Sequence, residues 1–114
     1  MKSLASVAIS LLLTVSAGVS SQGWENLGYC RVTQYCPACN DPAGHQSSSG
    51  VYLTDGCAAC NWLDIGTVIE IDGVEYTIVD YCGTDAIDLF IDSDSDECVC
   101  YMNEYKEVWR KTDD

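Results

Sequence analysis

All eight cysteines of this 114-residue chain lie between Cys30 and Cys100. They are Cys30, Cys36, Cys39, Cys57, Cys60, Cys82, Cys98 and Cys100. A chain of this length has room for one domain with a modest core, and such domains commonly need cross-links. An even cysteine count outside the cell reads as a disulfide framework, each bridge typically stabilising by ~2–4 kcal/mol. Eight cysteines allow roughly 105 full pairings, so the connectivity is not readable. Two spacings are CxxC: Cys36-Pro-Ala-Cys39 and Cys57-Ala-Ala-Cys60. In a reducing compartment, four thiolates from two such pairs close around one zinc ion, so a zinc or thiol-redox module stands as an alternative.

The N-terminus bears on which compartment applies. Lys2 is followed by an apolar run from Leu4 to Val15 and then by Ser16, Ala17 and Gly18. That is the pattern of a secretory signal over 1–21, with cleavage near Ala17–Gln22. The apolar run is short for ~30 Å of hydrocarbon, so no membrane association is expected after cleavage. The expectation is a secreted, extracellular or cell-wall protein stabilised by disulfides, with no metal. The chain carries 18 acidic and 5 basic residues, a net charge of −13, and losing Lys2 makes it more negative still. Such a surface repels nucleic acid and anionic lipid.

Residues 22–28 read as a polar lead-in, 29–110 as the domain and 111–114 as a tail. A first strand is expected over 29–35, where β-branched and aromatic residues alternate with polar ones. The stretch 36–50, with both prolines and a serine run, is a loop by composition. Residues 58–62 are open between a short strand and a turn. Two β-rich runs, 67–71 and 74–79, flank Asp72-Gly73, a dipeptide suited to a two-residue hairpin. A further strand is expected over 87–91 and a last one over 104–110. Asp94 and Glu97 have the spacing of a capping box, which predicts a short helix over 95–103.

Candidate chemistry falls on carboxylates. Asp80, Asp85, Asp88 and Asp92 crowd one loop and the strand after it. A carboxyl that is partly buried among others keeps its proton to higher pH, as a general acid must. The plainer reading is that Asp80 and Asp88 accept backbone N–H bonds at strand ends. The run Asp92-Ser-Asp94-Ser-Asp96-Glu97 starts like a calcium loop but lacks its glycine and its closing glutamate, so a solvated helix N-terminus, favoured by the helix dipole, is the better reading. His45, the only histidine, lies in a Gly/Ser loop with no triad around it and reads as a surface residue.

The order Leu63-Asp-Ile-Gly66-Thr67, a hairpin GVEYTIVD, a glycine-containing loop, then Ile87-Asp88-Leu89-Phe90-Ile91-Asp92-Ser93 resembles the 3D domain. That family is named for three aspartates and occurs in secreted bacterial cell-wall proteins. Its pattern runs roughly V-D-P-x-x-I-P-L-G-T, a hairpin, D-T-G-G and I-D-L-Y-F. Thr33-Gln-Tyr35-Cys36 resembles its T-A-Y-C, and Ser47-Ser-Ser-Gly50 its T-A-S-G. The resemblance covers about 29–109, and its specific part is 63–93.

The resemblance implies a small, mainly β fold: a six-stranded double-psi β-barrel with one short helix. That fold is shared with the catalytic domain of membrane-bound lytic transglycosylase A and, more distantly, with expansins and barwin-like domains. It implies Asp88 as catalytic acid/base and Asp80 as its support, with Asn61, Tyr81, Ser49 and Gly50 as substrate-binding positions. It also implies cell-wall polysaccharide, peptidoglycan or similar, as partner of a monomer that needs no cofactor. Asn61 stands where the first family aspartate falls, and D-T-G-G reads Asp80-Tyr81-Cys82-Gly83. The loop to Asp88 is shorter than the family's, and its lysine and the second domain of the transglycosylase are missing. Cys82 is a candidate to tie that loop to Cys98 or Cys100. The alternative is a non-catalytic, expansin-like binding module in which Trp24, Trp62, Tyr81 and Trp109 stack on sugar rings.

Overall fold

The computed structural model describes residues 20–112, except 22 and 41. The signal segment, apart from its last two residues, and the end of the tail lie outside the described residues. The strands are β1 (Ser20–Ser21), β2 (Trp24–Tyr35), β3 (Cys57–Ala59), β4 (Val68–Ile71), β5 (Val74–Asp80), β6 (Ile87–Phe90) and β7 (Asn103–Lys111). Six of them close into a barrel in the order β2-β6-β3-β5-β4-β7, with β7 returning to β2, while β1 adds to β2 from outside the ring. The barrel is mixed. β2 with β6 and β3 with β5 run parallel; the other neighbours are antiparallel.

Alternation sorts the side chains. Val32, Ala58, Ile69, Ile71, Ile78, Ile87, Leu89 and Val108 fill the barrel with Cys60 and Leu63. A second cluster, Leu53, Cys57, Val79 and Phe90 with Tyr35 against it, packs on the outer face of β3, β5 and β6. The 45–53 loop covers it. Leu53 N donates to His45 O at 2.6 Å and Ser47 N to Val51 O at 3.1 Å. This second cluster explains why all three residues of β3 are buried: one face of the strand meets the barrel interior and the other meets the loop.

The expected hairpin is β4–β5. Asp72 and Gly73 take φ of 55° and 80°, the double positive φ that a tight primed turn requires. The first strand starts at Trp24, inside the expected lead-in. Its partner β7 pairs with it from Trp24 to Thr33, across a bulge between Asn26 and Gly28. Asn26 builds the bulge: its Oδ1 accepts from Gly28 N at 2.6 Å and its Nδ2 donates to Glu107 at 2.7 Å.

No helix occurs among the described residues, and the expected helix over 95–103 is irregular chain leading into β7. Ser93 Oγ accepts from Ser95 N and Ser95 Oγ from Glu97 N, both at 3.0 Å. These short-range bonds take up N–H groups that a helix start would use. Farther on, Cys98 and Cys100 are held by sulfurs from the end of β2.

Candidate acid site on the outer barrel face

Asp80 ends β5 and Asp88 is the second residue of β6. Between those strands lies β3, and Ala59 pairs with both acids. Side chains directly opposite one another share a face, so both carboxylates stand on the outer face, flanking the smallest residue that still carries a Cβ. The plan of the barrel thus brings together the two acids singled out in the sequence.

Their surroundings differ. Asp80 is 8% exposed. Its Oδ1 accepts from Ser48 N at 3.1 Å, from Tyr81 N at 2.9 Å and from the Ser48 hydroxyl. It therefore fastens the covering loop to the barrel. Asp88 is half-buried. Its Oδ1 accepts from Thr33 Oγ1 at 2.9 Å, across the parallel β2–β6 register that places Thr33 beside it. Burial pushes the Asp88 carboxyl above the usual carboxylate range, against the pull of the Thr33 bond and the Arg31 charge. Arg31 is fixed by Asn103 Oδ1 at 3.3 Å and Asp85 at 3.5 Å.

Tyr35 completes the site. Its ring meets Phe90 edge to face at 5.2 Å. Its hydroxyl is buried with no hydrogen-bond partner among the described residues. Burial pushes the phenol up strongly, and the fields of Asp80 and then Asp88 push it further, so it stands near both acids as a neutral O–H. Thr33, Arg31, Tyr35 and Ser48 were not assigned roles from the sequence. The alternation in β2 puts 31, 33 and 35 on one face, and the motif resemblances at 33–36 and 47–50 include Thr33, Tyr35 and Ser48.

The other expected positions serve the frame. Asn61 Nδ2 donates to Thr84 O at 3.1 Å, and its Oδ1 accepts from Cys82 N at 2.9 Å. Trp62 Nε1 donates to Asp85 O at 2.9 Å. Together they pin the 81–86 loop between the acids. Ser49 Oγ donates to Val79 O, and Gly50 turns the covering loop at a φ of 90°. Tyr81 is 59% exposed and Trp62 46%. Trp24 and Trp109 lie partly buried on β2 and β7. His45 has more neighbours than a bare surface residue: it stacks on Tyr52 at 4.9 Å, meets Phe90 edge-on at 5.7 Å and bonds Asp92 at 2.9 Å.

The cysteines are arranged differently from the CxxC expectation. Cys57 faces the outer cluster and Cys60 the barrel core, so their thiols diverge. Cys36 and Cys39 meet Cys98 and Cys100 instead. Cys39 and Cys98 lie at disulfide distance, while Cys30, Cys36, Cys57, Cys60, Cys82 and Cys100 are free. Cys82 does not reach Cys98 or Cys100; its thiol donates within its own loop, to Ala86 O at 3.4 Å and Thr84 O at 3.5 Å.

A hollow of about 720 Å³ lies on the β4–β7 side, lined by Ile65, Gly66, Thr67, Val68, Arg110, Lys111 and Thr112. It includes neither acid, so its size says nothing about them. Compared with family models, curated proteins and solved structures, the chain matches none.

Proposed function

We propose that this chain is a secreted glycan-active protein of the cell wall, with Asp88 as general acid/base. The observation that carries the reading is the half-buried Asp88 carboxyl, held above its usual range on an outward face beside a second acid. The reading also takes the barrel as a double-psi barrel, supported by its six strands and two parallel pairs, β2–β6 and β3–β5. The motif resemblance at 63–93 supplies the polymer.

In this mechanism the protonated Asp88 gives its proton to the glycosidic oxygen as the bond to the anomeric carbon breaks. The sugar's 6-hydroxyl then bonds to that carbon, and its proton passes to the Asp88 carboxylate. Burial keeps the proton in place before the reaction, and Thr33 holds the carboxyl in position. Asp80 acts by fixing the loops around the acid. The experiment is release of anhydro-muropeptides from purified peptidoglycan, read by mass spectrometry. Wild type releases them, and Asp88→Asn releases at least ~10²-fold less. Equal release by the two proteins, or none by wild type, rejects catalysis.

A second reading is favoured by the exposed Tyr81 and Trp62 beside the acids: a wall polysaccharide-binding module without catalysis. Retention on insoluble glycan that survives Asp88→Asn but falls on Trp62→Ala and Tyr81→Ala selects it.

A further inference from the structure

Two of the eight cysteines leave the end of β2 in a turn, and two precede β7. Asn40 N donates to Cys36 O at 3.0 Å and to Pro37 O at 3.2 Å, closing the turn that presents Cys36 and Cys39. Cys98 and Cys100 are two residues apart, and on extended chain such side chains share a side. The four sulfurs all lie within 4.8 Å of one another. Cys36 Sγ is 3.4 Å from Cys39 Sγ and 3.8 Å from Cys100 Sγ, and Cys39 Sγ is 2.7 Å from Cys100 Sγ.

Two isolated disulfides require only two short distances. Here every sulfur is near every other. Cys39 is close to three partners and can bond covalently to only one. Four thiolates at ~2.3 Å from a single zinc ion lie about 3.8 Å apart, the spacing of a closed tetrahedral site.

We propose that Cys36, Cys39, Cys98 and Cys100 of the reduced chain form a tetrathiolate site for zinc or another soft divalent cation. The four thiols bind the ion and release their protons to solvent. The ion joins the turn after β2 to the irregular segment before β7, so that one structural centre fastens the end of the antiparallel pair at which β2 stops and β7 begins. The cysteine pair at disulfide distance is the oxidised form of the same cluster. The site stands independently of the glycan reading, because its ligands and its assay do not involve Asp88.

The test uses the full chain, purified with reductant and loaded with zinc, or with cobalt as a spectroscopic probe. The expected result is one ion per chain, with the charge-transfer and ligand-field bands of a tetrahedral cobalt tetrathiolate. Cys36→Ser and Cys98→Ser lose the ion or bind it at least tenfold more weakly, whereas Cys57→Ala and Cys82→Ala retain it. A Cys98→His variant that still binds, with shifted cobalt bands, shows that ligation rather than folding is being read. If the reduced, folded chain takes up no metal, or if Cys57→Ala and Cys82→Ala lose it as fully as Cys36→Ser, the site is overturned. In that case an intact mass lower by two hydrogens per bridge identifies the cluster as disulfides alone.

Discussion

Asp80 and Asp88 are the same residue type on the same face, yet a substitution at each tests a different property. Asp80 Oδ1 serves Ser48 N and Tyr81 N, so Asp80→Ala leaves those donors without their acceptor. A cost of about 1–3 kcal/mol is expected, most of it recovered in Asp80→Asn, as read by denaturant unfolding. Asp88 behaves in the opposite sense. Its carboxyl is raised by burial, with Thr33, Arg31, Tyr35 and the Cys100 thiol as its polar surroundings. Between the unfolded carboxyl's range and its raised folded value, the folded chain holds a proton that the unfolded chain has released. The stability tied to that proton is present at low pH and is lost as pH rises through this window. Asp88→Asn cannot ionise and escapes the loss. Its Tm should therefore exceed that of wild type at neutral pH and converge with it below about pH 4. A mutant less stable than wild type at neutral pH would show that Asp88 serves as a structural acceptor.

At the scale of elements, the outer cluster is the weak point of the site. Leu53 is fully buried against Cys57, Val79 and Phe90, yet it comes from a loop. Leu53→Ala should cost about 2–5 kcal/mol and free the 45–53 loop, seen as faster amide exchange at Ser47 and Ser48. Much of this level was legible from the chain: the Asp72-Gly73 hairpin and the strands on either side of it follow from turn chemistry and β-branched runs. Two things were not. The helix expectation relied on Asp94 and Glu97, a local signal, whereas the segment is shaped by Ser93, Ser95 and sulfurs that lie far away in sequence. The CxxC expectation treated the two motifs as equivalent. Cys36 and Cys39 flank a turn, which lets both thiols converge. Cys57 starts a strand, and three residues on, alternation sends Cys60 to the other face. Which cysteines meet was decided by barrel closure, which no short window of sequence contains.

For the whole molecule, closure is what ties these parts together. β2 bonds to β7 on one edge and to β6 on the other, and β4 and β5 are joined into the ring through β7 and β3. Few strands can leave such a ring without opening it. The three tryptophans report on different sectors: Trp24 and Trp109 on the β2–β7 pair, Trp62 beside the 81–86 loop. Variants keeping one tryptophan each should unfold at the same denaturant concentration, coincident with far-UV circular dichroism. An earlier transition at Trp62 would mean that the acid face melts as a separate unit.

Ala59 has a consequence for how such a site can vary among related chains. Both acids are registered on it, so their backbone separation is two interstrand spacings of about 4.8 Å each, whatever the loops do. Loops at this end of the barrel can lengthen, shorten or change chemistry without resetting that gauge. Ala59 itself is the dial. With Ala59 only 2% exposed, a larger side chain there would press on the covering loop that Asp80 fastens and so change the surroundings of both acids.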